Sequence, residues 1–571
     1  MGFIFWKKAN VYPVLRRYVT VAGKSNEQKI KEPAQRMLGF SRSQIALGTA
    51  IGTGVLLYNT NETSHNFTKH VLLTIKRTGV VTQATMRCFY DYKKTLGKEY
   101  PHGIERYTAL SECHQRCALI TLSALQSNGG IYIKLGQHIG AMTYLLPPEW
   151  TETMIPLQDQ CPESTIEDIN NMFKSDLKKN IDDIFSDFEP KPIGVASLAQ
   201  VHVATLRDSG EKVAVKCQHP SLKEFIPLDV MLTQTVFNLL DIFFPEYPLT
   251  WLGDELQSSI YTEIDFTKEA RNAIESQLYF ANYRSRTAIR IPDVIAANNR
   301  ILIMEYIPGK RLDDLKYLDD NNIYRAEVSS CLSHIFNNMI FTPNVGIHCD
   351  PHGGNLAIRA IPYGGSSNPH NFEIILYDHG LYRFPTTQMR RDYAKFWLAL
   401  LDHDKEKMKF YANRFANITE DQFPLFAAAI TGRSIDTALH YDISKRRNDN
   451  EIKVMSDGIV SGSFLTNLMS ILARIPRIVL LILKTNDLTR HLDECLQNPL
   501  GPERTFLIMT QYCAKTVYDE ACEEINSQYL KWSWFWTWNH IIAWVIFERR
   551  KNQLVYYDIA FWWKHTFFKY L

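Results

Sequence analysis

An Asp and an Asn stand five residues apart in His348-Cys349-Asp350-Pro351-His352-Gly353-Gly354-Asn355. A carboxylate can orient or deprotonate an attacking oxygen, and an amide oxygen nearby can ligate magnesium. Downstream, Asp378 in Tyr377-Asp378-His379-Gly380 offers a second hard oxygen ligand. Upstream, Val213-Ala214-Val215-Lys216 ends a short apolar run on a cation suited to polyphosphate. Each fragment alone is common. Together they supply what phosphoryl transfer needs: charge neutralisation around the phosphates and a group to orient the nucleophile.

The order Lys, then Asp/Asn, then Asp-x-Gly is the order found in protein kinases. That assigns Lys216 to the phosphates, Asp350 to the nucleophile, and Asn355 and Asp378 to the metal. Such residues need strands and turns to hold them. Val201, Val203 and Thr205 alternate with His202 and Ala204, as in a strand. Asp208-Ser209-Gly210 is a turn, and Lys212 to Cys217 is the return strand. Gly194-Val195-Ala196-Ser197 precedes this hairpin, where a phosphate loop belongs. It lacks G-x-G-x-x-G, but its small residues allow close backbone approach. Ile301 to Met304 reads as a buried strand, and Glu305-Tyr306-Ile307-Pro308-Gly309 as the hinge whose backbone meets adenine. Glu373 to Tyr377 is a strand leading into Asp378. Ser164-Thr165-Ile166-Glu167 fits a capping box, followed by a core face of Ile169, Met172, Phe173 and Leu177. Ile475 to Leu483 is an apolar run too short to span a membrane, and reads as a core helix.

The 571 residues suffice for two to four domains, and 45% hydrophobic with 22% charged residues is a globular composition. A formal charge of +2 argues against a nucleic-acid partner. The ten cysteines are scattered without C-x-x-C. Cys113-His114 with Cys117 mimics ligand spacing on a helix, but no second pair accompanies it, so structural thiols are expected. Residues 1 to 26 carry five Lys and Arg and no acid, like a mitochondrial presequence. From Ser43 to Asn61 nineteen residues carry no charge, about 28 Å of helix and close to a bilayer core. Gly48 and Gly52 form G-x-x-x-G within it. Arg36 and Arg42 before it and Glu62 after it place the N-terminus in the matrix and the rest in the intermembrane space. Seven of the eleven tryptophans lie between Trp532 and Trp563, which fits either an interfacial membrane contact or a terminal helix packed on the domain.

Ile131-Tyr132-Ile133-Lys134-Leu135-Gly136-Gln137, followed by Leu145-Leu146-Pro147-Pro148-Glu149, resembles the N-terminal extension of the UbiB family. These are the aarF-domain, ADCK-type atypical kinases of bacteria, mitochondria and plastids. Glu263-Ile264-Asp265 and Glu269-Ala270-Arg271-Asn272 resemble the family's E-x-D and E-A-x-N segments. By residue type alone, Lys134 and Gln137 are helix-surface residues and the acids a solvated face. The resemblance implies instead that Lys134 and Gln137 fold over the nucleotide site. It implies that Glu263 and Asp265 hold Lys134, and that Glu269 holds Lys216.

The chain departs from the family where Gly194 and Val195 replace Ala residues of the loop, where Gly353 replaces Pro, and where His379 replaces Phe. The segment after Gln137 also lacks the Ser and Arg often found there. None of these removes a phosphate or metal group.

The fold expected is α+β, a protein-kinase-like two-lobed fold with a helical Lys-x-Gly-Gln extension and a mainly helical C-terminal tail. Its parts are a presequence and basic segment (1–42), a transmembrane helix (43–61) and the helical extension (62–165). The N-lobe (166–310), the C-lobe (311–500) and an aromatic-rich tail (501–571) follow. The resemblance implies an ATP- and Mg-binding ATPase or small-molecule kinase of the mitochondrial inner membrane, tied to coenzyme Q and lipid homeostasis. The implied partners are membrane lipids, a quinone or isoprenoid ligand and membrane proteins. The alternative is a nucleotide-sensing pseudokinase scaffold or lipid-transport factor without phosphotransfer.

Overall fold

The computed structural model describes residues 62–100, 103–141, 146–159, 163–220, 222–245, 249–349, 353–362, 368–431, 475–498 and 502–567. The basic opening, the 43–61 stretch and Asp350 lie outside the described residues, as do residues 363–367 of the loop after Asn355. The chain divides into two compact units, 1–260 and 261–571.

The first unit opens with α1 (Glu62–Leu96) and α2 (Gly103–Asn128), which pack on each other, and α3 (Ile131–Ala141), which carries Lys134 and Gln137. Gly129 and Gly130 break α2 from α3 with φ of 63° and 57°, a left-handed backbone that a side chain would strain. Two short helices follow, α4 (Pro148–Thr153) and α5 (Pro156–Asp159).

Arg77 of α1 knots this extension together. Its Nε donates to Asp229 Oδ1 at 3.0 Å and its Nη1 to the Asn128 carbonyl at 2.6 Å. Its guanidinium lies 5.0 Å from the Phe225 ring centre and 5.6 Å from that of Tyr132. Asp229 is 2% exposed, so the pair is buried, and removing one partner of such a pair costs about 3–5 kcal/mol.

After α6 (Ile166–Leu177) and α7 (Ile181–Ile184) come strands β1 (Phe185–Phe188), β2 (Gly194–Val195), β3 (Ala199–Leu206) and β4 (Lys212–Gln218). The expected core face of α6, Ile169, Met172, Phe173 and Leu177, is buried. Its cap differs from the expected capping box: Thr165 Oγ1 accepts from Asp168 N at 3.2 Å, and Ser164 is left to bind elsewhere. β3 and β4 form the expected hairpin around Gly210, while β1 and β2 pair antiparallel with β3. The unit continues into α8 (Leu222–Phe243) and α9 (Thr250–Glu263). Among the described residues, α8 alone is long and apolar enough to cross a membrane by length and composition, and it carries Asp229, the partner of Arg77.

In the second unit, α10 (Phe266–Phe280) and α11 (Arg284–Thr287) precede β5 (Ile289–Arg290) and the antiparallel pair β6 (Val294–Ala297) and β7 (Ile301–Glu305). Then come β8 (Lys310–Arg311), α12 (Leu315–Asp320), α13 (Arg325–Phe341) and β9 (Ile347–His348). β10 (Leu356–Ala360), β11 (Phe372–Leu376) and β12 (Tyr382–Arg383) follow. One sheet has the order β5-β11-β10-β8, and β9 pairs with β12.

The rest is helical: α14 (Thr387–Leu401), α15 (Lys405–Ala416), α16 (Phe423–Thr431), α17 (Arg477–Cys495), α18 (Pro502–Gln528) and α19 (Trp534–Phe567). α17 runs well past the short apolar stretch that marked it. A core of this unit fills the space between α10, α13 and the β5-β11-β10 sheet with residues such as Phe280, Ile335, Phe336, Phe372 and Ile374.

Candidate functional site

The first unit presents Lys216 on the β3–β4 hairpin. Lys216 pairs with Val201, and both are half-buried. Directly paired residues share a face of the sheet, so Lys216 shares its face with the buried pair Val203 and Ala214. The opposite face is buried, and among its apolar residues it holds two polar ones: Gln200 is 1% and His202 0% exposed.

Those residues make a network that fixes the small-residue loop. Gln200 Oε1 accepts from Ser164 N at 2.7 Å, and its Nε2 donates to the Ser164 carbonyl at 3.1 Å and to His202 Nε2 at 2.9 Å. His202 Nδ1 donates to the Glu189 carbonyl at 2.8 Å. His219 Nε2 donates to the Ala196 carbonyl at 2.9 Å, and its Nδ1 accepts from Ser164 Oγ at 2.8 Å. Burial lowers the pKa of both imidazoles, with the carbonyls opposing, and the partners on both ring nitrogens fix the tautomer of the neutral form.

Gly194 and Val195 pair with Val201 and Gln200, and Ala196 N donates to the Ala199 carbonyl at 2.7 Å. The loop is therefore a tight turn held from below. Its Ser197 hydroxyl donates to Gln137 Oε1 at 3.3 Å, and Gln137 Nε2 donates to the Leu157 carbonyl at 3.0 Å. Gln137 of the extension thus touches the loop directly. Lys134, one turn earlier on α3, is half-buried.

In the second unit two ladders bring Asn355 and Asp378 together. β10 begins just after Asn355 and β11 ends just before Tyr377, with Leu356 opposite Leu376. Tyr377 N donates to the Asn355 carbonyl at 3.0 Å. β9 and β12 pair His348 with Tyr382, and Cys349 N donates to the Leu381 carbonyl at 3.0 Å. The Asn355 amide consequently lies 3.4 Å from Asp378 Oδ2. Asp378 Oδ1 accepts from Gly380 N at 3.0 Å, and the Asp378 carbonyl accepts from His348 Nε2 at 2.8 Å.

An amide and a carboxylate converging in this way form a hard-oxygen donor set, which fits magnesium. The Asn355 amide would present its oxygen to the ion, with Asp378 supplying the charge.

His379 supports the turn from inside. It is 2% exposed and lies parallel to the Tyr382 ring. Tyr382 OH donates to its Nδ1 at 2.9 Å, its Nε2 donates to the Leu376 carbonyl at 3.3 Å, and Ser276 Oγ donates to the Tyr382 oxygen at 3.3 Å. Asn272 Nδ2 also donates to the His379 carbonyl at 2.9 Å. The imidazole therefore does in this chain, by directed hydrogen bonds, what an apolar ring does by packing.

Glu269 is 3% exposed on α10, one turn before Asn272. Glu263 ends α9 near Gly380, where an added Cβ would lie 3.8 Å from Glu263 Cγ. Asp265 is the cap of α10: its Oδ1 accepts from Thr267 N at 3.2 Å and Thr267 Oγ1 at 2.6 Å, and Lys268 lies 3.9 Å from its other oxygen. At the hinge, Glu305 is paired with Arg290 and accepts from Asp293 N at 3.2 Å. The Ile307 carbonyl accepts from Tyr377 OH at 2.8 Å, and Ile307, Ala357 and Ile375 pack with Tyr377. Gly309 makes that approach possible, since a Cβ there would meet Ala357 Cβ at 2.6 Å.

Sequence reasoning missed Ser164, Gln200 and His219 as loop supports and Tyr377 as the link to the hinge. The signal available was Gln200 and His202, two polar residues on one face of an otherwise apolar strand.

The profile of the ABC1 atypical kinase-like domain matches residues 156–412. The chain is similar to the ABC1 family protein MCP2 of Saccharomyces cerevisiae, with 65% identity over 97% of this chain and 96% of that protein. It is 34% identical to AarF domain-containing protein kinase 1 of Gallus gallus over 78% of this chain and 83% of the relative. Among solved structures, the Mycobacterium tuberculosis protein of an erythromycin complex aligns with 60% of this chain and 89% of its own, at 18% identity and a TM-score of 0.37.

Proposed function

Because the chain belongs to the ABC1 atypical kinase-like family, we propose that it binds Mg-ATP and hydrolyses it or transfers its phosphoryl group to a small molecule. The observation that carries this reading is the convergence of Asn355 and Asp378 at 3.4 Å, fixed by two strand ladders. In the reaction Lys216 binds phosphate oxygens, and Asn355 and Asp378 hold the metal. Magnesium supplies neutralisation of the phosphate charge. Asp350 orients the attacking oxygen or takes its proton. Lys134 and Gln137 belong to an extension that excludes peptides and admits water or a lipid headgroup.

The test is ATP turnover by the purified chain, with and without magnesium and quinone-like lipids, alongside label transfer to generic proteins. Magnesium-dependent turnover without protein labelling supports the reading. Efficient protein labelling defeats the excluding role of the extension. ATP binding with no turnover favours the second reading, a nucleotide-sensing scaffold or lipid-transport factor. The feature favouring that reading is the small-residue loop, in which Ser197 is engaged by Gln137.

The setting proposed is the mitochondrial inner membrane, with the kinase-like part in the intermembrane space and a role in coenzyme Q and lipid homeostasis. The basic opening and the uncharged 43–61 stretch support it. Protease added after rupture of the outer membrane should digest the chain beyond Glu62. Digestion only after inner-membrane lysis reverses the orientation, and release by carbonate removes the span.

A further inference from the structure

Cys113 and Cys117 stand one helical turn apart on α2, and the second pair absent from their neighbourhood in sequence comes from α1. Cys88 and Asp91 are three residues apart on that helix, and the two helices pack together. The carboxylate of Asp91 and the sulfurs of Cys113 and Cys117 lie within 4.8 Å of one another. Cys88 lies beside this trio, outside its mutual spacing: its Sγ is 3.7 Å from the Cys117 carbonyl and 3.9 Å from Thr121 Oγ1, and the Cys117 Sγ lies 3.9 Å from the Cys88 carbonyl. Cys88, Cys113 and Cys117 are 8%, 0% and 0% exposed. Among the described residues no other three His, Cys, Asp or Glu groups converge in this way.

We propose that Asp91, Cys113 and Cys117, with the adjacent Cys88 recruited as the fourth ligand, form a structural site for a thiophilic divalent ion, zinc. Zinc takes four ligands tetrahedrally, with metal–sulfur bonds of about 2.3 Å, which sets ligand atoms about 3.8 Å apart. The trio, already within 4.8 Å, contracts to that by side-chain rotation, and Cys88 joins it by turning its Sγ away from the Cys117 carbonyl and Thr121. Arg116 orients the carboxylate, with Nε 2.8 Å from Oδ2 and Nη2 3.0 Å from Oδ1. Each carboxylate oxygen keeps a second lone pair for the metal. Such an outer partner is a regular part of metal sites, and the guanidinium also offsets charge from the thiolates.

Close packing alone accounts for buried thiols, as at Cys217 and Cys513. It does not by itself bring a carboxylate and two of them within 4.8 Å of one another. The ion would staple α1 to α2. From there Tyr92 leads onward: its hydroxyl lies 2.6 Å from His114 Nδ1 and accepts from Trp150 Nε1 of α4 at 3.0 Å. The site therefore braces the extension that carries Lys134 and does not depend on phosphotransfer.

The test uses the detergent-solubilised full chain, reduced, stripped with a chelator and titrated with cobalt(II) as the probe. The expected result is saturation at one ion per chain, with thiolate-to-cobalt charge transfer, the strong visible bands of a tetrahedral ion, and displacement by zinc. Cys113→Ser and Cys117→Ser should each abolish the charge-transfer signal, and Asp91→Asn should weaken binding about tenfold or more. Cys495→Ser, a thiol outside the group, should change nothing. A wild-type titration without charge transfer overturns the proposal whether or not the variants fold. Unchanged spectra in Cys113→Ser and Cys117→Ser, or a Cys88–Cys117 disulfide in the native protein, also overturn it.

Discussion

The Ser197 hydroxyl of the small-residue loop donates to Gln137 Oε1 of α3 across 3.3 Å, while the other end of the Gln137 amide is held by the Leu157 carbonyl. The extension and the loop are thereby one assembly. Gln137→Ala should lower stability by about 0.5–1.5 kcal/mol and loosen the loop. Ser197→Ala should have a smaller effect, and the double variant should fall short of the sum, because both remove the same bond. Urea unfolding of the four proteins measures this. Strict additivity would mean that the bond contributes nothing.

Gly194 has no atom within 4 Å of an added Cβ, and its backbone does not need the left-handed region. Gly194→Ala should therefore be accommodated and raise stability by about 0.4–1 kcal/mol through the unfolded chain. Comparing nucleotide affinity and turnover before and after the substitution isolates what the glycine does to the loop, and a fall in melting temperature would refute the steric argument.

Asp378→Asn keeps an oxygen for the Gly380 N–H and a polar group beside Asn355, so the fold should survive. The negative metal ligand is lost. The expected outcome is a magnesium-dependent nucleotide affinity at least about tenfold weaker, about 1.4 kcal/mol. Thermal shift with ATP, with and without magnesium, reads it. A folded variant with an undiminished magnesium effect would remove Asp378 from the metal site.

Stability should fall on mild acidification. Burial, reinforced by Arg286 and Arg504, lowers the pKa of His334 from 6.5 to about 4. The unfolded chain thus takes up a proton near pH 6.5 that the folded chain refuses until about pH 4. The contribution is whole above 6.5 and is lost progressively as pH drops toward 4. Burial shifts His114, His202 and His219 in the same direction. Urea midpoints between about pH 7 and pH 5 should decline, and His334→Gln should flatten the decline.

The hairpin carrying Lys216, the core face of α6 and the strand into Asp378 were legible because each is a local pattern of apolar spacing. The partners of the site were not. Gln200 meets Ser164 across 36 residues, and His219 meets the same serine across 55. Nothing periodic marks either contact. Asp265 read as one charge among several, yet its place immediately before Phe266 makes it a cap. Cys88 and Asp91 are separated from Cys113 and Cys117 by a helix turnaround, so only the packing of α1 on α2 turns two half-patterns into a group. The β9–β12 ladder is two residues long, too short for any alternation to announce it.

That ladder and its neighbour have a consequence for insertions and deletions. Cys349 is pinned to Leu381 at one end of the segment proposed to act on the nucleophile, and Asn355 is pinned to Tyr377 at the other. Losing or gaining one residue between them either pulls Asn355 from Asp378 or shifts the β10 register, which turns its buried residues outward. The connection between Ala360 and Phe372 is different, because those two residues are themselves paired and close the strand pair before the chain departs. Length can drift between Ile361 and Asn368 without reaching the proposed metal ligands, so relatives should align without gaps from Cys349 to Asn355 and differ in length there, whereas the buried Asn368 and His370 hold the rest of the connection. The same connection is the place to insert a fluorescent reporter while leaving the chemistry intact.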